Sequence, residues 1–414
     1  MIFIIRKTFT EFLRRTDQSA QAQVDGSSLA LFRIMFGAIL LGEVFYYWTT
    51  GIIDRQYIEP TFHFTYLGFN WVQAWPGIGM YFHFIVLAGL ACLIMLGILY
   101  RLSSCLFCFA FTYLFLVDEA FYLNHFYFAV LISVLLIVVP ANNAFSLDVL
   151  HNKFRRHGTV PLWSIWLLRF QVGVVYFYGG IAKFDPDWLD GLSTRELLGA
   201  ANRGTIFQPL MENTWVPHFY AWSGLLFDLL IPFLMLWKPI RKWAFLSAVL
   251  FHTNNYFVFP IGIFPVLALV LTLIYFDADF PRKVFPQKFK NWLSRQYRKR
   301  IPVQEKLDPA QEIMDSSRQV SRPVLIFLSV YVMVHLLLPF RHLLYPGRTI
   351  WHEEGHYFAW RMMLRQKITR LQFNVTHPDT GEMRYADPGD YLNSSQFKVF
   401  AGNPAMILLF AHHL

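Results

Sequence analysis

The amino-acid sequence predicts an all-α polytopic membrane protein with about nine transmembrane helices and a small C-terminal extramembrane region. Of the 414 residues, 55% are hydrophobic and only 15% are charged, whereas soluble domains carry about 25% charged residues. The apolar residues fall in runs near the length of about 20 that a spanning helix needs. Lysine and arginine collect in alternate connections between those runs. This composition excludes a disordered chain and a disulfide-rich secreted scaffold.

Residues 29–340 are predicted to form the transmembrane domain. Before it, residues 1–28 form a cytoplasmic segment that begins with an amphipathic interfacial helix, because Arg6 and Lys7 interrupt its apolar start. Within the domain, only Pro260 separates the seventh segment from the eighth. The nine predicted segments are Leu29–Trp48, Met80–Tyr100, Ser104–Val117, Tyr122–Val139, Pro161–Ala182, His218–Trp237, Trp243–Phe259, Ile261–Phe276 and Pro323–Phe340.

The distribution of lysine and arginine predicts the orientation in the membrane. Most of these residues lie in the N-terminal segment and in alternate loops, above all in the basic loop 277–321. By the positive-inside rule the N terminus is cytoplasmic, and nine crossings place residues 341–414 outside. The net charge of +9 is then mainly a topology signal. Aromatic residues in the basic loop favour contact with anionic lipid, and the absence of a groove-reading motif argues against nucleic acid.

The extracytoplasmic region 341–414 is predicted to contain a β-hairpin. Apolar and polar residues alternate, with one slip, over Ile368–Thr376, and His377–Gly381 has the composition of a turn. Glu382–Ala386 follows as the second strand. Before the hairpin, the aromatic-rich stretch Trp351–Leu364 is predicted to be helical.

Ionisable side chains at membrane depth are the candidates for chemistry, because they are costly to place there. Lys183 ends the fifth segment beside Gly179-Gly180, which permits another group to approach closely. Partial burial among aromatic residues would disfavour its charged form and give a neutral amine able to act as a base. The pair Asn124-His125, His252 and His342 are predicted at the same outer level. We therefore expect one outward-facing pocket.

Simpler interpretations exist for each of these residues. A lysine at a helix end commonly extends to the interface, and a single buried histidine commonly satisfies structural hydrogen bonds. Arg33, near the cytoplasmic end of its segment, is expected to do the former. It lies ten residues from Glu43, or about 15 Å along a helix, which is too far for a direct pair. Arg169 and Asp228 are interpreted as structural ion pairing between helices.

One motif points to different chemistry. His352-Glu-Glu-Gly-His356 matches the pattern in which two histidines on one helix face bind zinc and Glu353 acts as the general base. Gly355 disfavours a helix between the two ligands. No third ligand follows at a standard spacing, although His377 or Glu382 could serve. A metalloprotease is thus the weaker interpretation, and no metal is expected.

Short motifs in a fixed order, from about residue 29 to residue 388, carry a family resemblance. They are Leu31-Phe-Arg-Ile-Met-Phe-Gly37, Tyr100-Arg-Leu-Ser103, Leu114-Phe-Leu-Val-Asp118, Asn124-His125, Val160-Pro-Leu-Trp163, Gly180-Ile-Ala-Lys-Phe-Asp-Pro-Asp-Trp188, Phe251-His252, Ile261-Gly-Ile-Phe264 and Trp360-Arg-Met-Met363. Together they resemble the vitamin K-dependent γ-glutamyl carboxylase family. The absence of cysteines for the family's structural disulfide, and Arg361 within the last motif, indicate a bacterial-type, HTTM-domain relative.

The resemblance implies roles for nine residues. The expected catalytic residues are Lys183, His125, Asn124 and His252. The residues expected to bind the quinone or the glutamate are His342, Trp351, Trp360, Met362 and Met363.

The resemblance also implies the reaction, that of a carbon–carbon lyase-type peptidyl-glutamate 4-carboxylase. Lys183 would deprotonate vitamin K hydroquinone, whose oxygenation to the epoxide yields a base strong enough to remove a γ-proton from glutamate. Carbon dioxide would capture the carbanion, so the co-substrates are the hydroquinone, O2 and CO2. A water-excluding membrane site suits such a base.

The expected partners and location follow from that reaction. Partners are membrane lipid, a glutamate-containing peptide or protein and a quinone-reducing enzyme, and the bacterial inner membrane is preferred over the endoplasmic reticulum. Two alternatives stay open. One is a vitamin K hydroquinone epoxidase without carboxylation, and the other is a proton-coupled transporter that uses the intramembrane histidines and lysine as a relay.

Overall fold

The computed structural model describes residues 20–151, 158–259, 261–284, 322–364, 367 and 369–414. The amphipathic helix predicted in the first 15 residues and most of the basic loop 277–321 lie outside the described residues.

The described part is mostly helical, and each of the nine predicted segments overlaps a helix. These helices are α1 (Ser27–Thr49), α2 (Ile78–Leu96), α3 (Tyr100–Leu116), α4 (Asn124–Val138), α5 (Leu162–Ile181), α6 (Trp215–Leu236), α7 (Arg241–Val258), α8 (Phe264–Thr272) and α9 (Arg322–Leu337). Short 3₁₀ turns extend α8 to Tyr275 and α9 to Leu344.

Several of these helices suit an integral membrane protein. Among the described residues, four are long and apolar enough to cross a membrane, namely α1, α2, α6 and α9 with its extension. Helices α3, α4 and α8 are apolar but shorter. The count of nine spans therefore stays a prediction.

Glycine allows two pairs of helices to pack closely. A Cβ on Gly37 of α1 would lie 2.8 Å from the carbonyl oxygen of Ala91 in α2. A Cβ on Gly180 of α5 would lie 2.8 Å from the backbone nitrogen of Leu229 in α6. Both distances are too short for any side chain, so these contacts require glycine, as is common between helices in a membrane.

Arg33 does not extend to the interface as expected. Its guanidinium is fully buried and donates hydrogen bonds to the carbonyl oxygens of Ile94 (2.5 Å), Met95 (2.6 Å), Ala141 (3.1 Å) and Phe145 (2.6 Å). These carbonyls lie at the end of α2 and in the segment that follows α4. Arg33 therefore fastens three parts of the bundle together.

The expectation of ion pairing is wrong for Arg169. Its guanidinium donates to the carbonyl oxygens of Ile274 (2.9 Å) and Phe276 (2.8 Å) at the end of the α8 extension. Asp228 does form an ion pair between helices, but its partner is Lys183. Terminal carbonyls at the helix end, rather than a carboxylate, satisfy Arg169.

Two short antiparallel strand pairs accompany the helices. Strand β1 (Gln23–Asp25) pairs with β2 (Thr159–Pro161) before α5. Strand β3 (Phe373–Thr376) pairs with β4 (Met383–Ala386), with Phe373 opposite Ala386, which confirms the predicted hairpin. Helices α10 (Ser394–Phe400) and α11 (Pro404–His413) follow it.

The prediction of a helix over Trp351–Leu364 is wrong. Only Thr349–His352 is helical there. The backbone then turns repeatedly through positive φ at Glu353, Gly355, Phe358, Trp360 and Met363, and non-glycine residues adopt such angles only when their surroundings compensate for the strain. The compensation is aromatic packing, since Phe358 and Trp360 contact rings from the helical bundle.

Polar contacts attach the C-terminal region to the loop after α3. The carboxylate of Asp118 accepts hydrogen bonds from Gln396 of α10 (2.7 Å) and lies 2.9 Å from Nδ1 of His63. The Gln396 amide also donates to the carbonyl oxygen of Phe62. Around them a small apolar core forms from both parts of the chain, including Phe64 and Phe400.

Candidate active site

A cavity of about 600 Å³ lies within the bundle, next to the loop that precedes β3. Six of the nine predicted site residues line it. They are Asn124, His125, Lys183, His252, Met362 and Met363. The structure thus brings together residues from α4, α7, the end of α5 and the C-terminal region, but His342, which was expected in the same pocket, does not line it.

Lys183 lies two residues after the end of α5 and is held inside the protein. Its Nζ atom donates to Oδ2 of Asp228 at 2.6 Å and to the carbonyl oxygen of Gly179 at 3.1 Å. The ammonium position also lies 5.2 Å from the ring centre of Trp188. Both side chains of the Lys183–Asp228 pair are buried, so Lys183 does not extend to the membrane surface.

The acidic residues that follow Lys183 have a structural role. Asp185 accepts a hydrogen bond from the backbone of Asp187 and so caps the short helix Pro186–Leu189. Arg348 of the C-terminal region donates to Asp187 (2.9 Å) and to Asp185 (3.3 Å). The indole of Trp188 donates to the carbonyl oxygen of Ala221 in α6. This motif therefore holds the lysine and attaches the C-terminal region beside it.

His252 is held by a chain of hydrogen bonds. Its Nε2 atom lies 2.7 Å from the hydroxyl of Tyr176 in α5, which lies 3.1 Å from the hydroxyl of Thr272 in α8. Thr272 donates to the carbonyl oxygen of Ala268 at 2.7 Å. The chain connects the imidazole ring of α7 with α5 and α8.

His125 opens α4 and is buried against aromatic rings. Its ring centre lies 6.1 Å from that of Phe264, and the ring centre of Phe264 lies 6.3 Å from that of His252. Phe264 is thus near both histidines. Asn124 accepts a hydrogen bond from Tyr122, whose hydroxyl accepts one from the backbone of Phe358.

Met362 and Met363 come from the turning loop of the C-terminal region. The Cε atom of Met362 would lie 3.0 Å from a Cβ on Gly179, next to Lys183. Trp360 does not line the cavity. It is buried against Tyr127 and Phe128, with ring centres 5.0 Å and 6.2 Å away, and so anchors the loop.

The other two predicted binding residues also lie off the cavity lining. Trp351 is 65% exposed. The Nδ1 atom of His342 lies 2.8 Å from the carbonyl oxygen of Pro339, and Gly355 packs against its backbone. A role for either residue at the quinone or glutamate would need a ligand that extends beyond the cavity.

The cavity includes functional candidates that the sequence did not single out. The sequence indicates only a structural role for Asp228, and it does not connect Tyr176 or Glu43 with Lys183. Tyr176 lies seven residues before Lys183, which places both on one helix face. Asp228 is an acidic residue at membrane depth without a basic neighbour in its own helix, and that signal pointed to a partner from another helix.

The zinc pattern is not assembled on one helix face. The helix Thr349–His352 ends at His352, and Glu353 has φ of 65°. The carboxylate of Glu353 accepts a hydrogen bond from Lys367 at 2.5 Å. Across the described ranges, no group of three or more His, Cys, Asp or Glu side chains is arranged to hold a metal ion.

Taken as chemistry, the cavity combines an apolar wall with a few convergent polar groups. Its apolar lining includes Leu123, Phe251, Ile261 and Phe264. A buried amine–carboxylate pair can accept a proton from a hydroxyl group of an apolar ligand.

Comparisons with known proteins agree with this picture. A family model described as the HTTM domain matches residues 21–280, which is more than half of the chain. A second, described as the vitamin K-dependent gamma-carboxylase lumenal domain, matches residues 320–414. No solved structure matches the chain. With both models matched in order along one sequence, the chain belongs to the vitamin K-dependent γ-carboxylase family.

Proposed function

We propose that this protein is a membrane enzyme that couples oxygenation of vitamin K hydroquinone to γ-carboxylation of glutamate in a peptide. In balance, the hydroquinone and O2 give the epoxide and water, while the glutamate and CO2 give γ-carboxyglutamate. The observation that carries the proposal is the buried Lys183–Asp228 pair, at 2.6 Å, in the wall of an otherwise largely apolar cavity.

The cavity residues fit an apolar hydroquinone. Aromatic and aliphatic side chains, among them Phe251, Ile261 and Phe264, would contact its rings, and Lys183 would meet a hydroxyl. Once bound, the reduced vitamin supplies the strong base for removal of the γ-proton. Burial of the site within the bundle would keep water from that base.

Lys183 must be uncharged to take a proton from a hydroxyl. In a pair as close as Lys183 and Asp228, the shared proton can lie on either partner, giving ammonium and carboxylate or amine and carboxylic acid. The second arrangement carries no separated charge, and exclusion of water by an apolar ligand favours it. We propose that Asp228 stores this proton while Lys183 acts as the base.

The histidines and Asn124 have a supporting part in this proposal. The chain from Thr272 through Tyr176 holds His252, and the contact with Tyr122 holds Asn124. Fixed rings and amides can orient a ligand at little entropic cost. His125 and His252 would thus position the quinone ring or move protons.

The remaining assignments are proposals of the same kind. We place residues 29–340 in the membrane as nine spans, residues 1–28 in the cytoplasm and residues 341–414 outside. A bacterial inner membrane would provide both the lipid and a quinone-reducing enzyme that supplies the hydroquinone.

The test uses the purified protein in lipid nanodiscs with phylloquinone hydroquinone, labelled bicarbonate and a glutamate peptide. Epoxide and carboxylated peptide are measured separately. We expect both products from the wild-type protein, and Lys183→Ala should lower epoxide formation by about 10²- to 10⁴-fold, the usual contribution of a positioned base. Lys238→Ala, which removes an exposed lysine, is the matched control.

The two products distinguish the alternatives. Epoxide without carboxylated peptide would identify a hydroquinone epoxidase. Unchanged epoxide formation in Lys183→Ala would remove Lys183 from the mechanism. If the wild-type protein forms neither product, the proposed function is wrong, and uptake assays in proteoliposomes would then test for transport.

A further inference from the structure

A second polar group faces the cavity from a different helix. Glu43 of α1 lines the same space as Lys183 but has only 8% of its surface exposed. Its Oε2 atom is buried and has no hydrogen-bond partner among the described residues. An unpartnered carboxyl group inside a membrane protein is costly, and such groups mark functional positions.

Among the described residues, no side chain on the other side of Glu43 forms a hydrogen bond with its Oε2 atom. There Glu43 borders a small pocket that is lined, Glu43 and Tyr47 apart, only by apolar side chains. They are Leu40, Val44, Phe84, Leu87, Phe107, Phe111, Leu114 and Phe126. A partner for Glu43 must therefore come from the contents of the large cavity.

A second acceptor accompanies it. Gln56, on the π-helical turn Asp54–Ile58 that follows α1, also lines the large cavity. Its Oε1 atom is buried without a hydrogen-bond partner. Two unpartnered acceptors from one stretch of chain indicate a ligand group that donates a hydrogen bond.

A hydroxyl group is the ligand chemistry that suits Glu43 best. A carboxylate accepts a hydrogen bond from a hydroxyl, and a protonated carboxyl can both donate to it and accept from it. The match therefore holds in either protonation state. An amide N–H group can only donate a hydrogen bond, so it would leave the donor of a protonated carboxyl group without an acceptor.

We propose that Glu43, with Gln56, forms a subsite for the second hydroxyl of the hydroquinone. This inference rests on the proposed function, in which Lys183 meets the first hydroxyl. A 1,4-hydroquinone carries its two hydroxyls on opposite edges of the ring, and Lys183 and Glu43 belong to different helices of the cavity wall. The two groups thus fix both ends of the ring and set its orientation.

The first experiment measures stability without ligand. Glu43→Leu replaces an unpartnered buried carboxyl group with an apolar side chain, so the ligand-free variant should unfold at the same temperature as the wild type or at a higher one. Glu59→Leu, which alters an exposed glutamate after the same turn, is the control. A clearly lowered unfolding temperature for Glu43→Leu would mean that the carboxyl group is paired within the protein, and would overturn the proposal.

The second experiment measures affinity in nanodiscs for menadione hydroquinone and for its monomethyl ether, which lacks one hydroxyl. Glu43→Leu should weaken binding of the hydroquinone about tenfold and affect the ether less. Equal effects on the two ligands, or none, would overturn the subsite.

Turnover separates this inference from the proposed function. If the wild-type protein forms epoxide but Glu43→Leu binds both ligands normally, the subsite fails and the proposed function stands. If the wild-type protein binds hydroquinone with the expected dependence on Glu43 but forms no product, the subsite stands and the proposed function fails. A wild-type protein that binds neither ligand overturns both.

Discussion

The Lys183–Asp228 pair places two ionisable side chains inside the protein. Burying both groups removes them from water, and their attraction compensates only while both are present and well placed. Hydrogen bonds from Lys183 to Asp228 and to the Gly179 carbonyl oxygen supply that placement. Removal of one partner is therefore expected to cost much more folding free energy than removal of one partner of an exposed ion pair.

Asp228→Asn tests whether the carboxyl group stores a proton or only holds the lysine. The amide keeps the size and one hydrogen bond but cannot exchange a proton with the amine, so we expect epoxide formation to fall at least about 100-fold while the hydroquinone still binds. The measurements are the rate of epoxide formation and the dissociation constant of menadione hydroquinone.

Two further variants complete that test. Asp277→Asn breaks the partly exposed pair with Arg241 and should leave the rate nearly unchanged. Asp228→Glu should restore part of the activity. Normal turnover in Asp228→Asn would contradict the proton-storage role.

Sequence reasoning at the residue scale located the cavity but not its internal contacts. Lys183, His125 and His252 could be singled out because ionisable groups are expensive at membrane depth. The sequence could not assign Tyr176 as the partner of His252 or Asp228 as the partner of Lys183. These pairs depend on which helices are neighbours, and that is decided by the tertiary structure. Trp360 was expected at the ligand, yet an indole is equally suited to packing between Tyr127 and Phe128.

At the scale of elements, α5 and α6 form the wall that carries the candidate base. Gly180 brings the two helices together beside Leu229, and Asp228 lies next to that contact. The distance between Lys183 and its partner thus depends on close packing of two backbones.

Gly180→Ala should therefore destabilise the protein by about 1–3 kcal/mol, the usual cost of overpacking, and should lower activity by moving Asp228. Gly42→Ala is the matched control, because that glycine lies within α1 with open space around it and alanine favours the helix. Thermal unfolding in detergent measures both. Equal stability of the two variants would show that α5 and α6 can move apart without a loss of stability, which would contradict this prediction.

The prediction of elements succeeded where hydrophobic runs were long and failed where aromatic residues were packed by tertiary contacts. The hairpin β3–β4 was evident from alternation and a turn of suitable composition. The stretch Trp351–Leu364 has helical composition, but Phe358 and Trp360 gain more by packing into the bundle than a helix would give them. Such an override is invisible in local propensity.

At the scale of the whole molecule, the site is assembled from two distant parts of the chain. The bundle supplies Lys183, Asp228 and the histidines, and the C-terminal region supplies Met362 and Met363. Arg348 and Gln396 attach the second part to the first. The C-terminal region therefore lies at the end of α5 that is followed by Lys183.

Orientation can be tested with single cysteines in a variant whose three native cysteines, all within helices, are replaced by alanine. Asp379→Cys, in the exposed hairpin turn, should react with a membrane-impermeant maleimide added to intact cells. Lys238→Cys, between α6 and α7, should react only after lysis. The positive-inside rule gives this order, and the reverse pattern would invert the proposed topology.

The strained loop around Trp360 has a consequence for biosynthesis. Its left-handed residues depend on rings from helices made much earlier, so the loop cannot take its shape while the chain is still short. During translation, Lys183 enters the membrane long before Met362 and Met363 exist to cover it. Until Met362 and Met363 have been synthesised, the cavity around Lys183 lacks the part of its lining that these two side chains provide.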